Sequence, residues 1–139
     1  MSNKLLSGKS IFCVEDNVSN RVIFQLSIVT NGAVVYFERW GRDAIARLTE
    51  MRQVDLIILD LMLTDDISGF DIFDQIRAIP DLTNAPIVAV SAMDPSVAMP
   101  KAKEKGFSGF IAKPIDKELF PRQLATIMNG GEVWNSGNQ

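Results

Sequence analysis

Five short apolar runs, rich in β-branched residues and free of polar alternation, punctuate the chain: "SIFCV" (10–14), "AVVYF" (33–37), "DLIILD" (55–60), "APIVAV" (85–90) and "GFIA" (109–112). Strands covered on both faces have this appearance, because neither side of the pleat meets water. Between the runs the spacing becomes helical. Val18, Val22, Leu26 and Val29 step by four, four and three and stop at Asn31-Gly32, a helix-ending pair. Ala44, Leu48 and Met51 form a second such row, and Ile72, Ile76 and Ile79 a third. Strands and helices alternating five times predict right-handed βαβ crossovers, hence a parallel sheet with helices on both faces. The expected fold is a three-layer, doubly wound α/β domain of the (βα)5 type.

Two prolines qualify the helices. Proline suits the first helical position and clashes with the preceding turn further in. The fourth helix is therefore expected to be interrupted near Met99-Pro100, and the fifth to begin at about Phe120, after a turn over 116–119. The last residues, "NGGEVWNSGNQ" (129–139), are rich in glycine and amides. Residues 130–139 read as a flexible C-terminal tail with no effector domain after it.

Composition narrows the function classes. A chain of 139 residues, 47% hydrophobic and 22% charged, is one globular domain and far from a disordered one. Its net charge of -3 offers no basic excess to a nucleic-acid backbone, so no direct nucleic-acid binding is expected. There is no histidine, which rules out imidazole zinc sites and Ser-His or Cys-His catalysis. The single cysteine, Cys13, sits in an apolar run and reads as a small buried hydrophobe in a reducing compartment. No run approaches the ~20 residues of a membrane span and no secretory signal precedes the first acidic residues, so a cytoplasmic location away from membranes is expected.

In open parallel sheets, ligands gather outside the carboxyl ends of the strands. That rule selects Glu15 and Asp16 after the first strand, Asp60 after the third, Ser91 after the fourth and Lys113 after the fifth. Asp65 and Asp66 fall in the loop beyond, and Asp71 in the next helix. Taken alone, Glu15-Asp16 could be a solvated helix start, Lys113 a surface lysine, Ser91 a loop hydroxyl and Phe110 a core residue. If the first and third strands are neighbours, however, three carboxylates converge, which is costly without a cation. A hard, oxygen-seeking ion such as Mg²⁺ fits, and an aspartate beside it can act as a nucleophile and form an acyl phosphate. Lys113 and the Ser91 hydroxyl would then meet phosphate oxygens.

The segments "VEDN" (14–17), "IILDLM" (57–62), "VSA" (90–92) and "FIAKP" (110–114) resemble, in order, the signature segments of the response-regulator receiver domain of two-component signalling. The separations agree as well: 44 residues from Asp16 to Asp60, 31 on to Ser91 and 22 on to Lys113. The resemblance covers 8–129 and implies a flavodoxin-like fold with a five-stranded sheet of order 2-1-3-4-5. It implies that Asp60 is the phospho-acceptor, supplied by a histidine kinase or histidine phosphotransfer protein. It implies Mg²⁺ or Mn²⁺ held by Asp16, Asp60 and the backbone carbonyl of Met62, with Glu15 acting through a water. Lys113 and Ser91 match the phosphate-contacting residues, Phe110 the aromatic that turns inward on activation, and Lys113-Pro114 a cis bond. Such a domain catalyses only its own phosphoryl transfer and autodephosphorylation, and signals by binding an output protein not named by the sequence.

Two departures stand out. Thr64 replaces the family's proline four residues after the acceptor, and Gly69 comes nine rather than eight residues after it, so the loop is longer. Pro100 is expected to alter the helix-four face through which the family dimerises. Alternatives remain at this stage: a receiver module of a larger hybrid kinase, a phosphate-independent binding module, or a metal-dependent phosphatase. The last usually carries a second aspartate where this chain has Met62.

Overall fold

The computed structural model of the protein describes residues 4–51, 53–64, 67–82 and 84–137. Asp65 and Asp66 lie outside them. The elements follow as β1 (Ser10–Val14), α1 (Val18–Val29), β2 (Val34–Glu38), α2 (Ala44–Glu50), β3 (Leu56–Leu59), α3 (Gly69–Arg77), β4 (Ile87–Ser91), α4 (Pro95–Lys105), β5 (Gly109–Ala112), α5 (Phe120–Met128) and β6 (Val133–Asn135). All strand pairs are parallel, in the order β2-β1-β3-β4-β5-β6.

The continuous apolar runs have their expected cause, since β1, β3 and β4 feed both faces of the sheet. Phe12, Val14, Ile57, Leu59, Ile87, Ala89 and Phe110 point to one side, where Leu48 of α2, Ile72, Phe73 and Ile76 of α3, and Ala98 and Ala102 of α4 cover them. Ile11, Cys13, Ile58, Val88, Val90 and Ile111 point to the other, under Phe24 and Ile28 of α1 and Phe120, Leu124 and Ile127 of α5. Cys13 is free and buried, and burial pushes its thiol well above its ordinary pKa, so it is an unreactive core residue.

Three expectations change. The row that marks α1 in the sequence is not the row it buries: Val18, Val22, Leu26 and Val29 are 48–60% exposed. Phe24 and Ile28 face the sheet instead, and the Phe24 ring lies 5.2 Å from that of Phe120. A helix with two apolar rows buries the one carrying the larger ring, because an aromatic removes more apolar surface from water than a valine.

Helix α4 is likewise not interrupted; it runs from Pro95 to Lys105 with Pro100 inside it. Proline cannot donate a ladder bond. Yet Ser96, whose carbonyl loses its donor, is exposed, so water can satisfy it. Both ends are fixed as well, by the Asp94 side chain accepting from the Ser96 N–H and by Gly106 in the left-handed conformation at φ 102°.

Finally, among the described residues the sheet has six strands, the expected five and one more. The segment read as a loose tail contributes β6, in which Val133, Trp134 and Asn135 pair with Gly109, Phe110 and Ile111 of β5. A three-residue strand between glycines leaves too short a run to be recognised by periodicity.

Candidate functional site: a carboxylate rim bridged by lysine

Backbone pairing extends one residue beyond the strands and fixes the rim. The Glu15 N–H donates to the Glu38 carbonyl at 3.1 Å, the Asp60 N–H to Val14 at 3.1 Å and the Lys113 N–H to Ser91 at 3.0 Å. Residues from three strands are thereby placed at one end of the sheet. The Lys113 ammonium spans two of the carboxylates. It donates to Asp60 Oδ2 at 2.8 Å and lies 2.6 Å from Glu15 Oε1, a close ion pair between two largely buried side chains. Glu15 is 1% exposed and Asp60 5%.

One further oxygen of each carboxylate is tied to main chain. Glu15 Oε2 accepts from the Asn17 N–H at 3.1 Å, and Asp60 Oδ1 from the Met62 N–H at 3.1 Å. Asp16 Oδ2 accepts from the Thr64 N–H at 2.9 Å. Thr64 thus does what a proline there could not, because proline has no N–H to give. The loop is pinned from its far end too. Gly69 opens α3 against the backbone of Asp60 and Leu61, where a Cβ would collide, and Ser68 and Asp71 close a capping box around that start.

Two or three negative charges thus face one positive one. Burial raises the Glu15 pKa above its ordinary range, although Lys113 opposes the shift. Burial alone would lower Lys113, but its hydrogen bond and charge interaction with Asp60, joined by those with Glu15, outweigh burial and raise it. The ammonium therefore stays charged and the surplus sits on the carboxylates.

One oxygen from each of Glu15, Asp16 and Asp60 lies within 4.8 Å of the others. An all-oxygen donor set without imidazole or thiolate suits a hard divalent cation such as Mg²⁺ or Mn²⁺, whose charge would offset the surplus.

Of the remaining residues singled out in the sequence, Ser91 ends β4 fully buried, its Oγ accepting from the Met93 N–H at 3.2 Å. Phe110 is also fully buried, in the apolar cluster that Trp134 packs against. Met62 leans its side chain outward, 53% exposed, while its N–H holds Asp60. The Lys113-Pro114 bond is cis. Sequence reasoning missed the Thr64 N–H and the close approach at Gly69. A main-chain donor has no signal beyond the residue not being proline, and a glycine's neighbour is known only once the fold is.

A doubly wound sheet with a lysine-bridged carboxylate rim at its carboxyl end is an α/β module whose acidic cluster suits a divalent cation. The family profile described as "Response regulator receiver domain" matches residues 11–125, and the chain belongs to that family. It is 30% identical over 119 residues to the polar-differentiation response regulator DivK of Brucella anthropi, covering 86% of this chain and 93% of that one. It is 28% identical over 123 residues to the transcriptional regulatory protein AfsQ1 of Streptomyces coelicolor. There it covers 88% of this chain but spans only about half (52%) of the relative. The fold is shared with the chemotaxis protein CheY4 of Vibrio cholerae, with a TM-score of 0.78 at 23% identity, covering 86% of this chain and 98% of that one. The sheet order 2-1-3-4-5 expected from the resemblance is present, with β6 added at its edge.

Proposed function

We propose that this protein is a phosphorylation-dependent switch that accepts a phosphoryl group on Asp60. The observation that carries the reading is the Lys113 ammonium lying within 2.8 Å of Asp60 Oδ2 and 2.6 Å of Glu15 Oε1 at the carboxyl rim. In the reaction, an Asp60 carboxylate oxygen attacks the phosphorus of a phosphohistidine, the P–N bond breaks and the released imidazole takes up a proton. Lys113 neutralises charge on the transferring oxygens, and the Ser91 hydroxyl donates to one of them. Asp16, Asp60 and the Met62 carbonyl would hold Mg²⁺ or Mn²⁺, with Glu15 through a water, and the ion supplies charge compensation to phosphoryl oxygens. The chain turns over no separate substrate; it catalyses its own loading and the hydrolysis of its own acyl phosphate.

The donor is a histidine kinase or histidine phosphotransfer protein. Its docking face is the exposed row of α1, which starts at Val18, two residues after Asp16, and continues through Val22 and Leu26. Apolar side chains this exposed beside a charged rim suit a helix laid alongside. Signalling proceeds by binding a protein partner in the cytoplasm, and the excess of acid disfavours nucleic acid as the direct target. No helix among the described residues is long and apolar enough to cross a membrane. A second reading, a receiver module within a longer protein, is favoured by the partial coverage of AfsQ1 and, for a hybrid kinase, by a match to 12% of the probable histidine kinase 5 of Oryza sativa. Incubation with Mg²⁺ and acetyl phosphate should add one phosphoryl group by intact mass, and EDTA should abolish it. No addition in Mg²⁺ would overturn the reading.

A further inference from the structure

The flank of β5 is a strand-accepting surface, and this chain fills it with its own residues. After α5 the backbone turns through Gly130, at φ 95°, and Gly131, and lays β6 along β5. The Val133 N–H donates to the Ser108 carbonyl at 3.2 Å. Gly109 makes the approach possible: any Cβ there would collide with the Val133 carbonyl. Trp134 is the anchor. It stands beside Phe110 in the strand register, packs against the core cluster containing Phe110, and has the Lys103 ammonium 5.0 Å from its ring centroid. Ser136 completes a cleft with Met99, Pro100 and Lys103, so the segment bridges β5 and α4. All three residues of β6 are nonetheless partly exposed. A three-residue edge strand, partly exposed along its whole length, is among the elements that open at low cost.

The same short β5 leads directly into the carboxylate rim. Phe110 precedes Lys113 by three residues, and Lys113 is bonded through its N–H to Ser91 and through its ammonium to Asp60. An anionic group placed on Asp60 would draw the ammonium from its 2.8 Å contact toward the new oxygens, and through the Lys113 backbone it would pull on the end of β5. Trp134 and Val133 are fitted to β5 where it now lies.

We propose that residues 132–136 form a strap whose docking on β5 and α4 opposes an anion at Asp60, and that occupancy of Asp60 releases the strap. This rests on the phospho-acceptor reading of Asp60. Coupling of this kind is reciprocal, so loosening the strap must strengthen anion binding by the same factor as the anion loosens the strap.

The test uses the full chain with Mg²⁺ and beryllium trifluoride as the phosphoryl mimic. In the wild type, amide hydrogen exchange of residues 132–136 should speed up when the mimic is added. Trp134→Ala, which removes the anchor, and Val133→Pro, which removes the N–H to Ser108, should each bind the mimic about fivefold tighter or more. Unchanged or slower exchange together with affinities unchanged or weakened in both folded variants would overturn the strap. A wild-type protein that takes up no mimic at all sinks the acceptor reading and the strap with it.

Discussion

Between Ile57 and Asp60, three residues along the path of β3, the molecule passes from an apolar interior to a charged rim, although both residues are buried. Ile57 is stabilised by removal from water and by close packing under α3. Asp60 is not; its burial is unfavourable and is offset by Lys113 and the Met62 N–H. Glu15 shows the residual cost, since burial raises its pKa even with the Lys113 ammonium 2.6 Å away. Groups held at such cost are not there to stabilise the fold, and their clustering at a strand end marks a place for chemistry.

Substitutions should separate the two regions. The largest stability effect belongs to the interior: Ile57→Ala should cost about 2–5 kcal/mol in urea denaturation while its folded fraction still takes up phosphoryl from acetyl phosphate. If labelling disappeared as well, core and rim would not be separable.

A smaller effect with a diagnostic sign comes from Glu15. Its pKa is raised in the fold, so the folded state holds the proton more tightly than the unfolded state does, and stability falls as pH rises from 4.5 through the raised value. In EDTA, Glu15→Gln should lack this fall and be more stable than wild type on its high-pH side. A variant curve parallel to wild type would remove the claim that burial raises the Glu15 pKa.

The smallest stability effect is expected on the exposed row of α1, which belongs to neither region. Val22 is 52% exposed, and Val22→Asp should change stability by about 0.5 kcal/mol or less. It should slow transfer from a phosphorylated histidine phosphotransfer protein by about tenfold or more, yet leave labelling by acetyl phosphate intact. Equal slowing with both donors would place Val22 in the chemistry rather than in docking.

The parts of this architecture legible in the sequence are those with an abrupt change of character. The run "LIIL" ending in Asp60 is visible because a strand covered on both faces is apolar throughout and the rim begins at one residue. Glu15, Asp16 and Lys113 follow from the same rule. What stayed hidden depends on relations between elements. The row of α1 that faces the sheet was decided by Phe24 meeting Phe120, and the tolerance of Pro100 by the exposure of Ser96 and by the caps at Asp94 and Gly106. Strand β6 exists because Gly109, 24 residues earlier than Val133, leaves room for it. None of these is a property of a local window.

The central claim is that Asp60 alone is the acceptor, and intact mass after incubation with Mg²⁺ and acetyl phosphate tests it most directly on wild type and Asp60→Asn side by side. One phosphoryl group on the wild type and none on a folded Asp60→Asn is the predicted result. A phosphoryl group that persists on Asp60→Asn would contradict the account.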